Sequence, residues 1–239
     1  MKSFNRLRRL NQLVGDVIEK YTLDAVVVAD IATDHGYLAE LLSRNEKISK
    51  VIATDISESC LEKTNELKQR CNLEKIETRL GDGLEPIDNA DISVLAGIGG
   101  YEIIKILDNQ NKQNNGENKC DLFVFQPSKN AADLRLYLIE KNIKIVSDFI
   151  VVSGGRFYPM IVADLLQKND TEKTLFNLYF GRENSVENKD FIRFLNRQIE
   201  DLKFLENMNK SDINNSDDLI TKFNVLNLAK NLINESKGE

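Results

Sequence analysis

Tryptophan is absent from this 239-residue chain, histidine occurs once, and cysteine three times. The cysteines, Cys60, Cys71 and Cys120, are odd in number and lack metal-type spacing. Neither a disulfide framework nor a metal site is therefore expected, and reduced thiols suit a cytoplasmic protein. No apolar run approaches the roughly 20 residues that a membrane span needs. The N-terminal stretch MKSFNRLRRLNQLVGDVIEKY is amphipathic, with no uninterrupted hydrophobic segment, so no signal peptide is expected. Also missing is a G-x-G-x-x-G turn, which argues against a nicotinamide or flavin dinucleotide site.

What is present is mixed charge. Lys and Arg number 32 against 38 Asp and Glu, for a net charge of −6. A negative balance by itself argues against a nucleic-acid partner. Its distribution removes that argument. Residues 51–100 hold 5 basic and 10 acidic groups, which is nearly the whole excess. The first turns instead carry Lys2, Arg6, Arg8 and Arg9 with no acid. The pattern predicts a polarised, salt-sensitive surface that is compatible with RNA.

Apolar, β-branched runs alternate with helical patterns. Strands are expected at 25–30, 50–55, 75–80, 91–96 and 121–126, with helices at 37–44, 57–70, 100–108 and 130–141. Continuous apolar strands separated by helices indicate a parallel sheet covered on both faces. Runs at 144–152 and 157–166 follow, joined through Ser153-Gly154-Gly155-Arg156, which signals a hairpin. The α/β class follows. Residues 3–20 form an amphipathic helix, with Phe4, Leu7, Leu10, Val14 and Val17 on one face. Beyond Gly181, two further amphipathic stretches predict an antiparallel helical hairpin that buries its own seam. The polar run 108–120 reads as a surface loop. The chain thus divides into a domain over 1–180 and a helical tail over 181–239.

Ligands of open α/β sheets bind beyond the carboxyl ends of the strands. Strand one ends in Asp30-Ile31-Ala32-Thr33-Asp34-His35-Gly36. This turn is poor in glycine for a pyrophosphate but rich in acid, which suits the sulfonium and ammonium of S-adenosylmethionine. Strand two ends in Asp55, with Ile56 beside it. This acid can accept from both ribose hydroxyls or cap the following helix. After strand three comes Gly81-Asp82-Gly83, where Asp82 either accepts from an adenine amino group or belongs to an ordinary Asp-Gly turn. Strand four ends in Ala96-Gly97-Ile98-Gly99-Gly100, whose backbone can approach a substrate closely. Strand five ends in Gln126, which both donates and accepts, as the reading of a base edge requires. His35 fits support of the cofactor loop better than proton transfer.

Taken together, VADIATDHGYL, the acid after strand two, RLGDGLEPI, LAGIGG and FQPSKN resemble the bacterial tRNA (adenine-22-N1)-methyltransferase family. The resemblance runs from the RLRRL start through Gly154-Gly155-Arg156-Phe157-Tyr158 and includes the helical tail. In the family's first loop a glycine usually stands where this chain has Ala32. The resemblance implies a Rossmann-like methyltransferase sheet of seven strands, mostly parallel, with a final antiparallel hairpin. It also implies methyl transfer from S-adenosylmethionine to N1 of an adenine in tRNA. Ring N1 keeps an in-plane lone pair, so alignment supplies much of the rate and no general base is obligatory. The positioning groups are then Gln126, Gly97 and Gly99. The cofactor groups are Asp30, Ala32, Asp34, His35, Asp55, Ile56, Gly81, Asp82, Gly83 and Ala96. The expected RNA contacts are Arg6, Arg8, Arg9, Lys129, Arg135 and Arg156. Two other readings keep less: a methyltransferase of another RNA or of a small molecule, and a non-catalytic RNA-binding module.

Overall fold

The computed structural model describes residues 4–113, 119–208, 213–214 and 216–237. Lys2 and the centre of the expected loop over 108–120 lie outside the described residues, as does the side chain of Phe4.

Seven strands form one sheet: β1 (Val26–Ile31), β2 (Ile48–Asp55), β3 (Ile76–Leu80), β4 (Ile92–Ala96), β5 (Leu122–Gln126), β6 (Ile143–Ser153) and β7 (Arg156–Lys168). Their order is β3-β2-β1-β4-β5-β7-β6. Only β7 runs against its neighbours, pairing antiparallel with both β5 and β6. The two-residue connection Gly154-Gly155 has both φ angles positive, at 60° and 76°, which suits a tight hairpin between twisted strands.

Period-two alternation places successive strand residues in different cores. Val28, Val94, Val124 and Val162 face one side of the sheet, while Ala29, Leu95, Phe125 and Ala163 face the other. The first side is covered by α1 (Phe4–Lys20) and α2 (Tyr37–Ser43) through Leu10, Val14, Val17, Leu38 and Leu42. On the second side lie α4 (Gly100–Gln113) and α5 (Ala131–Glu140), through Ile103, Leu107, Leu134 and Leu138. The helix α3 (Glu58–Cys71) connects β2 to β3 and buries Leu61 and Leu67. Helix α4 is longer than the expected 100–108. Its last turn runs into the Asn- and Gln-rich segment, which carries no apolar period.

The chain after β7 forms α6 (Leu175–Phe180), α7 (Lys189–Leu202), a 3-10 turn over Lys203–Asn207, and α8 (Asp217–Lys237). Asn188 caps α7, its Oδ1 accepting from the amides of Asp190 and Phe191. Phe191 and Leu195 of α7 pack with Val225, Ala229 and Ile233 of α8. The same cluster contains Phe180 of α6 and Ile150 of β6, and Phe157 meets Phe194 edge-on at 5.4 Å. The two long tail helices are therefore seated on the hairpin end of the sheet as well as on each other. No helix among the described residues is long and apolar enough to cross a membrane.

Candidate active site

The sheet order reverses between β1 and β4, and a cleft of about 590 Å³ opens beyond their carboxyl ends. That is the switch point at which open α/β sheets bind ligands, and the volume suits a small organic molecule. Asp30, Ala32, Asp34, His35, Asp55, Ala96 and Gly97 all line it.

The loop after β1 owes its shape to three left-handed residues, Ala32, Asp34 and Gly36, with φ of 57°, 56° and 71°. Gly36 opens α2, and a Cβ there would lie 2.6 Å from Thr64 Cγ2, so only glycine fits. The amide of Thr33 donates to the carbonyl of Thr54, 2.9 Å away, which ties the loop to β2. Asp30 is buried, and the Thr33 hydroxyl donates to its Oδ2 at 2.7 Å. Burial pushes the Asp30 carboxyl up to about 6, while Thr33 and the Ala39 amide hold it down.

Asp55 stands between two loops. Its Oδ2 accepts from the amide of Asp34 at 3.1 Å and its Oδ1 from the amide of Ser57 at 3.0 Å. The helix-entry and cleft readings of this residue thus coexist in one geometry. His35 Nδ1 lies 2.7 Å from Asp34 Oδ1, and its ring stacks on Tyr37 with centroids 5.9 Å apart. Ile56 is 74% exposed beside Asp55, an apolar side chain with little protein covering it.

Beyond β4, the amide of Gly97 donates to the carbonyl of Gln126 at 2.9 Å, and that of Ser128 to Ile98 at 2.8 Å. Gly99 immediately precedes α4, its carbonyl accepting from the amide of Ile103. The side chain of Gln126 differs from expectation. It is 1% exposed, does not line the cleft, and uses both ends of its amide internally. Its Oε1 accepts from Arg6 Nη1, and its Nε2 donates to the carbonyl of Pro127 at 3.0 Å. A base edge finds no free group there.

Arg6 also departs from its expected place on an RNA-facing surface. Helix α1 lies along one face of the sheet, and its first turn carries Arg6 into the cleft wall, half-buried, over the Tyr158 ring at 5.7 Å. Burial lowers its pKa from the ordinary arginine value, and Tyr158 and Asp30 oppose that shift. Arg135 is not an RNA contact. It is buried, bonds Asp148 through two nitrogens and donates to the Leu178 carbonyl, so it cannot meet RNA. Arg8, Lys129 and Arg156 are exposed, whereas Arg9 lies over the Phe149 ring at 5.0 Å and 3.9 Å from Asp16. Gly81 donates its amide to the Asp55 carbonyl, but Asp82 and Gly83 line a separate recess, with Asp82 3.9 Å from Lys105. The structure does not bring Asp82 to the cleft of Asp30 and Asp55.

Among known proteins, the chain is 29% identical over 150 residues to the tRNA (adenine(22)-N(1))-methyltransferase of Bacillus subtilis strain 168. The match covers 62% of this chain and 62% of that relative, so the chain spans about three fifths of the relative's length. The TrmK of M. capricolum, solved with S-adenosyl-homocysteine, has a TM-score of 0.76 at 24% identity, covering 96% of each chain. The B. subtilis M1A22 tRNA methyltransferase TrmK has a TM-score of 0.69 at 22% identity, over 98% of this chain and 96% of that one. These solved structures establish the shared fold. A family model described as a methyltransferase domain matches residues 8–161, the stretch that holds β1 to β5 and most of the cleft lining. The chain belongs to that methyltransferase-domain family.

Proposed function

We propose that the chain transfers a methyl group from S-adenosylmethionine to N1 of the adenine at position 22 of tRNA. The observation that carries this reading is the row of carboxylates Asp30, Asp34 and Asp55 along the ends of β1 and β2. They stand beside a turn without the glycines that a pyrophosphate requires. The likeness to the B. subtilis tRNA methyltransferase supports the substrate.

The donor set fits S-adenosylmethionine. Asp55 faces the cleft to accept from ribose hydroxyls, and Asp30 and Asp34 place negative charge where a sulfonium and an ammonium are welcome. When bound, the cofactor supplies an electrophilic methyl group. Ala96, Gly97 and Ile98 line the same cleft, where an adenine would approach with its N1 lone pair aligned, and alignment supplies much of the rate. The turn Ala96-Gly97-Ile98-Gly99-Gly100 lacks the Asn/Asp-Pro-Pro-aromatic sequence used for attack by an exocyclic amine. N1 lies on the pairing edge, so the base enters extruded from its stack. Exposed Arg8, Lys129 and Arg156 are the groups that hold phosphates in this reading. Residues 1–180 act as the catalytic unit and 181–239 as a tail packed on itself and on the β6–β7 hairpin, in a protein that works on tRNA in the cytoplasm.

Incubation with labelled S-adenosylmethionine and unmodified tRNA, followed by nucleoside analysis, tests this. The expected product is 1-methyladenosine, lost when adenine 22 is replaced by guanine. Label in N6-methyladenosine, or none in tRNA, overturns the reading.

A further inference from the structure

The cleft is not uniformly acidic. Asp34 and Asp55 stand at the ends of β1 and β2, whereas Arg6 sits over β5 and β7 through Gln126 and Tyr158, with β4 between. Asp30, on β1, lies between the two groups. The guanidinium rests against the backbone of Gly97, where φ is +85° and a Cβ would lie 3.4 Å from Arg6 Nη1. One Arg6 nitrogen is spent on Gln126 Oε1, whose own amide is anchored on Pro127. The Tyr158 ring supports the guanidinium plane at 5.7 Å. A planar fork held on two sides keeps further N–H donors in a fixed orientation.

We propose that Arg6 binds the α-carboxylate of the cofactor and that Arg6 and Asp30 together select adenosyl ligands with a zwitterionic amino-acid end. This rests on the cofactor reading above. An α-amino acid carries one ammonium and one carboxylate, and this end of the cleft offers one carboxylate and one guanidinium. A ligand whose ribose is held at Asp55 directs its amino-acid end along the cleft toward β4. A phosphate of RNA fits this place less well. It carries only negative charge, and Asp30, set beside Arg6, opposes it. Gln126 is then a positioning residue for Arg6, which accounts for a buried glutamine at the end of a strand that otherwise carries apolar residues.

Calorimetry on the full chain tests this with two probes, at a pH where Asp30 is ionised. S-adenosylhomocysteine has the amino-acid end; 5′-methylthioadenosine keeps the adenosine and thioether without it. Arg6→Ala is expected to weaken S-adenosylhomocysteine about 10- to 100-fold, the scale of a charge-assisted hydrogen-bonded contact. The same change is expected to leave 5′-methylthioadenosine within about threefold, and Arg6→Lys to recover part of the loss. Retained binding of 5′-methylthioadenosine also reports an intact cleft. Equal losses for both ligands, or no loss for either, overturn the proposal while the cofactor reading stands. If the unaltered chain binds neither ligand, both fall.

Discussion

Arg135 and Asp148 form a two-pronged ion pair in which each side chain is 1% exposed, with Nε–Oδ2 at 2.8 Å and Nη2–Oδ1 at 2.9 Å. The third arm of the guanidinium donates to Leu178, so one residue ties α5 to β6 and α6. Removing one partner leaves an uncompensated buried charge. Arg135→Ala is expected to destabilise the chain by about 3–5 kcal/mol. The double change Arg135→Met with Asp148→Leu should cost much less. Urea unfolding decides, and equal losses of stability for the single and double variants would contradict the assignment.

Ala32 holds a left-handed backbone, φ 57°, in the cofactor loop. Such a conformation costs a residue with a Cβ about 1–2 kcal/mol, and glycine's extra freedom in the unfolded chain returns part of that. Ala32→Gly should therefore stabilise by about 1 kcal/mol or less, raising Tm by about 2 °C. A lowered melting temperature would show that the alanine methyl packs favourably enough to outweigh the strain.

Asp30 gives the fold a pH signature. Its carboxyl is raised from 3.8 to about 6. The folded state therefore holds a proton more tightly than the unfolded one, and ionisation above pH 6 opposes folding by about 3 kcal/mol. That opposition fades as pH falls through 6 and is gone near 4. Asp30→Asn should raise Tm by several degrees at pH 8 and by almost nothing at pH 4, read by thermal scans at both. In the unaltered chain, affinity for S-adenosylhomocysteine should fall as pH drops below 6, because the ammonium loses its partner.

Asp55 accepts from two loop amides and faces the cleft. Asp55→Ala should weaken S-adenosylhomocysteine about a hundredfold, since hydrogen bonds to a charged acceptor are each worth about 1.5–3 kcal/mol. Near-normal affinity by calorimetry would remove the ribose role and leave only the loop-tying one.

For the RNA surface, charge reversal at the exposed residues Arg8 and Arg156 should weaken tRNA binding. It should also flatten the plot of log affinity against log salt by about one for each phosphate no longer neutralised. Unchanged slopes across a salt titration would place the RNA elsewhere.

The carboxylates and glycines at the strand ends are legible in the sequence because they depend on local chain order. An apolar run, then a turn, then a helical period puts Asp30, Asp55 and Gly97 at the same edge of the sheet. The end of α4 is not legible, because Asn is a weak helix former and the segment has no apolar period to mark its turns. Nor is the seating of the tail on Ile150 and Phe157, which the apolar stripes of α7 and α8 announce without naming what covers them.

By itself, then, the sequence determined the α/β class, the strand sequence and the acidic character of the cleft. Each follows from hydrophobic periodicity and from residues adjacent in the chain. Only the tertiary structure decided which arginines are surface charges. Arg6, Arg8, Arg135 and Arg156 look alike in the sequence, yet Arg6 finds Gln126, 120 residues away, Arg135 finds Asp148, and Arg8 and Arg156 face solvent. A long apolar stem lets an arginine lie in either environment. Its role is therefore set by the partner that folding brings to its head, and no local pattern encodes that partner.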